Sequence, residues 1–238
     1  MQELMASGDP AYSFTLIDSA GNSRPLNLVD GVVTAPAEEG KFKLYASYTE
    51  YGTTYYSNGV PFIVKKPDPY WFYFGDSKTL VLKSGPDVPA GYGATVIGSG
   101  KIPEKISSYS TGSGWEEYRS EMVKAVVADE ITAPENMSYW FNHAENLASL
   151  EGFENLNTSS VTSIVLMFYG CTALKDISTL ADWDTGNVTN TGSMFYECSN
   201  VTNWTALNEW DVSKVINHYA MFMECTPPLP SWADASWQ

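Results

Sequence analysis

A motif that returns at fixed spacing constrains this chain more than anything else in it. The pair Trp140-Phe141 comes back as Met167-Phe168, Met194-Phe195 and Met221-Phe222, each 27 residues on. A small residue follows each pair at one offset: Ala144, Cys171, Cys198 and Cys225. All three cysteines of the chain stand on this lattice. One such repeat cannot bury its own apolar edge. Copies have to stack, each covering the next, so a column of coils is predicted from about residue 131 onward.

The other columns divide each coil in two. Leu147/Leu174/Val201, Leu150/Ile177/Trp204, Phe153/Leu180/Leu207 and Leu156/Trp183/Trp210 place apolar residues at every third position, which predicts a short strand and a tight corner. The polar column Asn157/Asp184/Asp211 marks a turn. The second half runs Val161, Ile164, Met167, Phe168, Cys171, the spacing of a helix, with Ser, Thr and Asn before it to cap the N-terminus. The cysteine file then reads as a small, buried, weakly polar column. A disulfide between neighbours would leave one cysteine over, and a metal site lacks C-x-x-C spacing and a histidine on the column.

Ahead of the repeats the chain alternates like β-structure. Tyr12–Ile17 and Lys41–Tyr48 alternate in polarity, with turn residues Asp18–Asn22 between them, and Val60–Val64 closes a segment of short strands. Lys65–Pro69, with two prolines, reads as a stiff linker. Tyr70–Phe74 and Thr79–Lys83 predict a hairpin. A Gly/Pro/Ser-rich passage from 84 to 114 follows, with one short strand expected at Thr95–Ile97. The expected organisation is 1–67 as a β-sandwich, 68–130 as a β-rich linking and capping segment, and 131–238 as the repeats, about four coils with a C-terminal cap.

The formal net charge of −15 repels phosphate backbones and anionic lipid surfaces, so nucleic acid is excluded as the expected partner. No apolar run approaches the roughly 18 residues of a spanning helix, so no membrane insertion is expected. The first residues lack the basic and apolar regions of a secretory signal. The chain is therefore read either as a piece of a longer secreted protein or as one that reaches its site by another route.

Two stretches carry a family resemblance. Asn157-Thr158-Ser159-Ser160-Val161-Thr162 followed by Met167-Phe168-Tyr169-Gly170-Cys171, and Trp183-Asp184-Thr185-Gly186-Asn187-Val188-Thr189 followed by Ser193-Met194-Phe195-Tyr196-Glu197-Cys198, resemble the BspA-like leucine-rich repeats of bacterial surface proteins. Val33-Thr34-Ala35-Pro36, Glu39-Gly40-Lys41-Phe42 and Phe62-Ile63-Val64-Lys65 resemble bacterial immunoglobulin-like modules more loosely. The fold class expected is α+β: an N-terminal immunoglobulin-like sandwich, then a leucine-rich-repeat-type solenoid with a β-rich N-terminal cap. The resemblance implies a non-catalytic binding or adhesion protein.

No catalytic set is apparent, and neither an enzyme nor a cofactor is expected. His143 and His218 read as surface or packing residues. Asp182 and Asp184 form a D-x-D pair, but no further oxygen ligands are fixed nearby for calcium. A hydrolase hidden in the 84–114 loop would need an acid–base group that the sequence does not place. What remains is surface. The outward residues of the strand half, Ser149, Glu151, Lys175, Asp176, Ser178, Thr202, Asn203 and Thr205, are the expected contact face, with Trp232 and Trp237 as aromatic anchors or as a cap. The expected function is a surface-exposed binding or adhesion module, part of a longer extracellular or cell-surface protein, that contacts a protein or glycan. The alternative is a virion structural protein, a capsid decoration or fibre that meets capsid or tail proteins and forms a homo-oligomer through its N-terminal module.

Overall fold

In the computed structural model the described residues are 12–26, 28–29, 32–33, 40–50, 53–64, 67–103 and 112–237. The chain forms two compact units, Met1–Pro67 and Asp68–Gln238.

The first unit contains β1 (Tyr12–Asp18), β2 (Ser23–Leu26), β3 (Leu28–Val29), β4 (Val32–Val33), β5 (Gly40–Glu50), β6 (Thr53–Tyr56) and β7 (Val60–Val64). The β1–β2 turn is held by Asp18, whose carboxylate accepts the Ala20 and Asn22 amides at 2.9 Å each. The long β5 is the spine. β1 lies antiparallel along one edge in the register Leu16↔Leu44, while β7 and β6 share the other edge. β2 extends the sheet beyond β1, and β3 and β4 form a separate antiparallel ribbon. An immunoglobulin-like sandwich requires two sheets packed face to face around a common core. The described residues instead make one five-stranded antiparallel sheet and this ribbon, with Leu16 and Phe42 as the buried apolar side chains. The expected sandwich is therefore corrected to a single sheet. Of the residues quoted for the immunoglobulin-like resemblance, Thr34, Ala35, Pro36, Glu39 and Lys65 lie outside the described residues.

The second unit opens with β8 (Pro69–Phe74), β9 (Thr79–Ser84) and β10 (Val96–Lys101), and adds β11 (Lys124–Val127), β12 (Ile131–Thr132), β13 (Ser149–Glu151) and β14 (Leu156–Asn157). β8 and β9 form the hairpin that the sequence predicts, in the register Trp71↔Leu82. The sheet order is β10-β8-β9-β11-β13, antiparallel at first and parallel from β9 onward. Both faces are covered, which is why Tyr70–Phe74 is aromatic throughout rather than alternating. Trp71, Tyr73, Leu80, Leu82, Ala125 and Val127 face the main core, and Phe72, Phe74, Val81 and Val126 form a smaller cluster behind. The main core runs without a break from Trp71 to Trp237, so the segment before 131 and the repeats after it share one interior.

The parallel pairing of β11 with β13 and of β12 with β14 is the first step of a coil stack, with partners such as Ala125↔Leu150 and Ile131↔Leu156. The steps that follow, Asn136↔Ser163, Ser163↔Asn190 and Asn190↔Asn217, are single parallel bridges on the 27-residue lattice. Phe141, Phe168, Phe195 and Phe222 stack in a file with centroids 5.4, 5.5 and 5.9 Å apart and planes within 9° of parallel. Trp183 and Trp210 make a second file.

The helices expected in the second half of each coil do not form; among the described residues there is no α-helix. In residues 137–144 the amides alternate in direction. Those of Met137, Tyr139, Phe141 and His143 donate to the next coil, to the carbonyls of Ser163, Val165, Met167 and Tyr169. Those of Asn142 and Ala144 close turns onto Tyr139 and Phe141, three residues back. The later coils repeat this pattern: Ile164, Leu166, Phe168 and Gly170 donate forward, and Thr191, Ser193, Phe195 and Glu197 do the same. An amide committed to a neighbouring coil is not available to the carbonyl four residues back, so no helix can propagate. Successive three-residue turns still bring Ile164, Met167 and Cys171 to one side, which imitates a helical stripe. Each coil takes two left-handed backbone positions to do this: Tyr139/Leu166/Ser193/Ala220 and His143/Gly170/Glu197/Glu224 all have φ between 52° and 71°.

The α+β class, an immunoglobulin-like sandwich followed by a leucine-rich-repeat solenoid, is thus replaced by a β-rich chain of mixed sheets that runs into an open stack of turn-built coils.

Candidate binding surface

The stack has two long outer faces. The first continues from β13 through residues 175–178 and 202–205, where the sequence places the contact residues. Glu151, Lys175, Asp176, Ser178, Thr202, Asn203 and Thr205 are exposed there and Ser149 is half-buried. Much of their polarity is already used. Glu151 pairs with Lys124 at 2.6 Å and accepts from the Ser149 hydroxyl. Asp176 accepts the Ser178 amide at 2.8 Å, and Asn203 accepts both the amide and the hydroxyl of Thr205. These are Asx turns, in which a short polar side chain bonds the backbone two residues on and sets a corner. The same device recurs at Asn157, Asp184 and Asp211, which receive the amides of Ser159, Gly186 and Ser213. The Ser213 hydroxyl and amide hold the Asp211 carboxyl below the usual range. The D-x-D pair is therefore a corner, and among the described residues no group of three His, Cys, Asp or Glu is placed to hold a metal.

Trp232 and Trp237 pack against the last coil. Trp237 is buried, and Trp232 is half-buried with its indole N–H donating to the Leu207 carbonyl at 2.7 Å. In earlier coils that bond is made by Trp183 to Phe153 and by Trp210 to Leu180. Trp232 thus stands in for the tryptophan of a further coil. The Trp237 carbonyl likewise accepts the Phe222 amide at 3.0 Å, as a next coil's carbonyl would. Its ring lies over His218 at 4.1 Å. Both tryptophans belong to this closure and neither is an exposed anchor.

The cysteine file is an internal seam. Cys171, Cys198 and Cys225 each donate the thiol to the carbonyl of Phe141, Phe168 and Phe195 respectively, at 3.0–3.2 Å. All three are free, and burial pushes their thiols up, Cys225 to about 12. A thiol that resists ionisation does not act as a nucleophile or metal ligand.

The second face is built by the turns: residues 135–145, 162–172, 189–199 and 216–226. Sequence reasoning passed over it, because a helix would have turned different side chains outward. The rings of Tyr169 and Tyr196 stack here at 4.8 Å, and His143 meets Tyr169 edge-on at 4.9 Å. In the last coil Ile216 and Tyr219 are 85% and 74% exposed, the two most exposed large apolar side chains described. Glu197 and Glu224 follow the Tyr196 column by one residue. The four stretches carry four glutamates, Glu135, Glu145, Glu197 and Glu224, and no lysine or arginine. The two lysines of the coil region lie off this face: Lys175 on the strand side, and Lys214 at a corner, bonded to Asn187 at 2.9 Å. The signals in the sequence were Tyr169 and Tyr196, each just after a Met-Phe pair, and Tyr219, two residues before the last pair, legible only once the turn geometry is known.

Residues 120–232, a little under half of the chain, match the family model described as "Mycoplasma protein of unknown function, DUF285". The coil stack and β11 are thus similar to that family. No curated protein and no solved structure matches the chain.

Proposed function

We propose that this chain is a non-catalytic, surface-exposed binding or adhesion module, part of a longer extracellular or cell-surface protein, that engages a protein or glycan through the turn face of its coils. The observation that carries the reading is the exposed apolar end of that face. Ile216 and Tyr219, three residues apart on the last coil, both stand in solvent. Large exposed apolar groups grouped on one surface mark contact sites, and tyrosine is favoured at them because its ring is rigid and its hydroxyl adaptable. The strand face has its polar groups tied into corners, so fewer of them are left for a ligand.

The test is site-directed photocrosslinking on cells that carry the chain. A photoreactive phenylalanine analogue at position 219 is expected to yield polypeptide or polysaccharide adducts, and the same analogue at position 202, on the strand face, is not. Adducts at 202 and none at 219 overturn the choice of face. Adducts at neither position overturn the binding reading.

A further inference from the structure

We infer that the open end of the last coil takes an extended polypeptide segment, which adds in parallel beyond Asn217 as the next rung of the inter-coil ladder. This rests on the turn face being the binding surface, and it commits the occupant to a peptide chain rather than a sugar.

The coils themselves show what covers this edge. One residue per coil bridges to the next, in the order Asn136, Ser163, Asn190, Asn217. At the last bridge the Thr189 carbonyl accepts the amides of Ile216 and Asn217 at 2.8 and 3.2 Å, and the Thr191 amide donates to the Asn217 carbonyl at 2.8 Å. The outer side of Asn217 offers the same pair of groups, the carbonyl of Ile216 and the amide of His218. Neither meets a partner among the described residues. A backbone edge left open in this way is a template for a further strand, and one peptide residue carries both the donor and the acceptor that fill it. The C-terminal segment does not fill the rung. Trp232 and Trp237 close the core half of this end through the Leu207 carbonyl and the Phe222 amide, and the Trp237 ring lies over the His218 ring, but neither residue bonds here.

The side chains around the rung say what the segment carries. In the parallel register each residue stands over its counterpart, about 4.8 Å away. Ile216, one residue before Asn217, and Tyr219, two after it, are 85% and 74% exposed. In the preceding coils these columns hold Glu135, Thr162 and Thr189, and Ser138, Val165 and Gly192. Both columns therefore reach their largest apolar residue where the ladder ends. The segment that fits has an aliphatic residue, then a polar one at the bridge, then an apolar one two places on. Its apolar pair covers Ile216 and Tyr219 as its backbone closes the rung.

The experiment titrates the full chain with a peptide that copies residues 212–221, the segment that fills the equivalent rung on Asn190, and reads fluorescence anisotropy and amide hydrogen exchange. The peptide is expected to bind, and the His218 amide to gain exchange protection of about tenfold or more. Methylating the peptide at the amides of its isoleucine and asparagine removes the donors to the Ile216 carbonyl and should weaken binding by about fivefold or more. Ile216→Thr with Tyr219→Ser restores residue types that these columns carry in earlier coils, at Thr189 and Ser138, and should weaken binding by about tenfold or more. The thermal midpoint of this variant reports folding separately. Binding that leaves His218 unprotected, survives methylation or is unchanged in the double variant overturns strand addition. Absence of binding overturns it too, and adducts at position 219 then leave the binding face standing. Polysaccharide adducts alone at 219 overturn the peptide occupant and keep the face. If the peptide does not bind and position 219 yields no adduct, both fail.

Discussion

Truncating Phe168 to alanine tests the coil stack at its most coupled point. The side chain is fully buried, and its ring is held between Phe141 at 5.4 Å and Phe195 at 5.5 Å, nearly parallel to both. Removing a buried phenylalanine costs about 3–5 kcal/mol through lost transfer energy and the cavity left behind. Each stacked pair adds about 0.5–1.5 kcal/mol beyond its buried area. The backbone here is pinned by inter-coil hydrogen bonds on both sides, so the site cannot collapse to fill the cavity. The expected cost is therefore at the upper end, about 4–5 kcal/mol, a large share of the roughly 5–15 kcal/mol that holds a typical domain. Equilibrium urea unfolding gives the total, and hydrogen exchange locates it. The amides that cross the two affected interfaces, Phe141 to the Met167 carbonyl and Phe168 to the Met194 carbonyl, should lose protection more than the amides of β8 and β9. A loss below about 2 kcal/mol, or protection that falls in the β8–β9 hairpin and not at these two amides, would refute stacking as the source of cohesion.

Three further predictions follow from the backbone, the charges and the thiols. Gly170→Ala places a Cβ at φ 71° and 3.0 Å from the His143 Nδ1, and should cost about 1–2 kcal/mol in thermal or chemical denaturation, whereas Glu197→Gly, on the same column, should be neutral or gain up to about 1 kcal/mol. For Glu116, burial acts to raise the pKa, but the amides of Gly112, Gly114 and Ser113 outweigh it and the folded value falls below the usual range. A lowered folded value stabilises above the unfolded pKa of about 4.3 and is lost as pH falls through the folded one. Acid titration of unfolding should show this loss, and Glu116→Gln should flatten it. Cys171 and Cys198 should resist alkylation until the chain unfolds, with half-buried Cys225 labelled first, as read by mass spectrometry under graded urea.

Much of the interior was legible in the sequence. The Met-Phe pairs, the cysteine file and the tryptophan column are buried where a 27-residue stack requires them, since only a stack aligns residues so far apart in the chain. The corners were legible as well, because Asn157, Asp184 and Asp211 each precede an amide that they bind two residues on. The second half of each coil was not. Val161, Ile164, Met167, Phe168 and Cys171 fit a helix in spacing, yet consecutive turns reproduce that spacing. What separates the two cases is the destination of alternate amides, and that is set by neighbouring coils rather than by local pattern. The mistaken helix also hid the turn face, because it left Tyr169, Tyr196 and Tyr219 with no assigned direction. In the first unit, alternation in Tyr12–Ile17 and Lys41–Tyr48 located strands, but alternation cannot say whether a second sheet covers them.

The inter-coil bonds carry an implication for how such a chain changes length. Phe168 reaches the Met194 carbonyl as Phe141 reaches that of Met167, and the thiols of Cys198 and Cys171 look back to Phe168 and Phe141 in the same way. The interior behaves like a screw thread of fixed pitch. Excising 27 residues between equivalent points rejoins like with like, and inserting 27 adds one more turn of thread. A number that is not a multiple of 27 strips it, moving phenylalanine out of its file and opening the thiol seam. Variation in this part of the molecule is therefore quantised: it lengthens or shortens by whole coils, and the phenylalanine file inside it grows or shrinks one rung at a time.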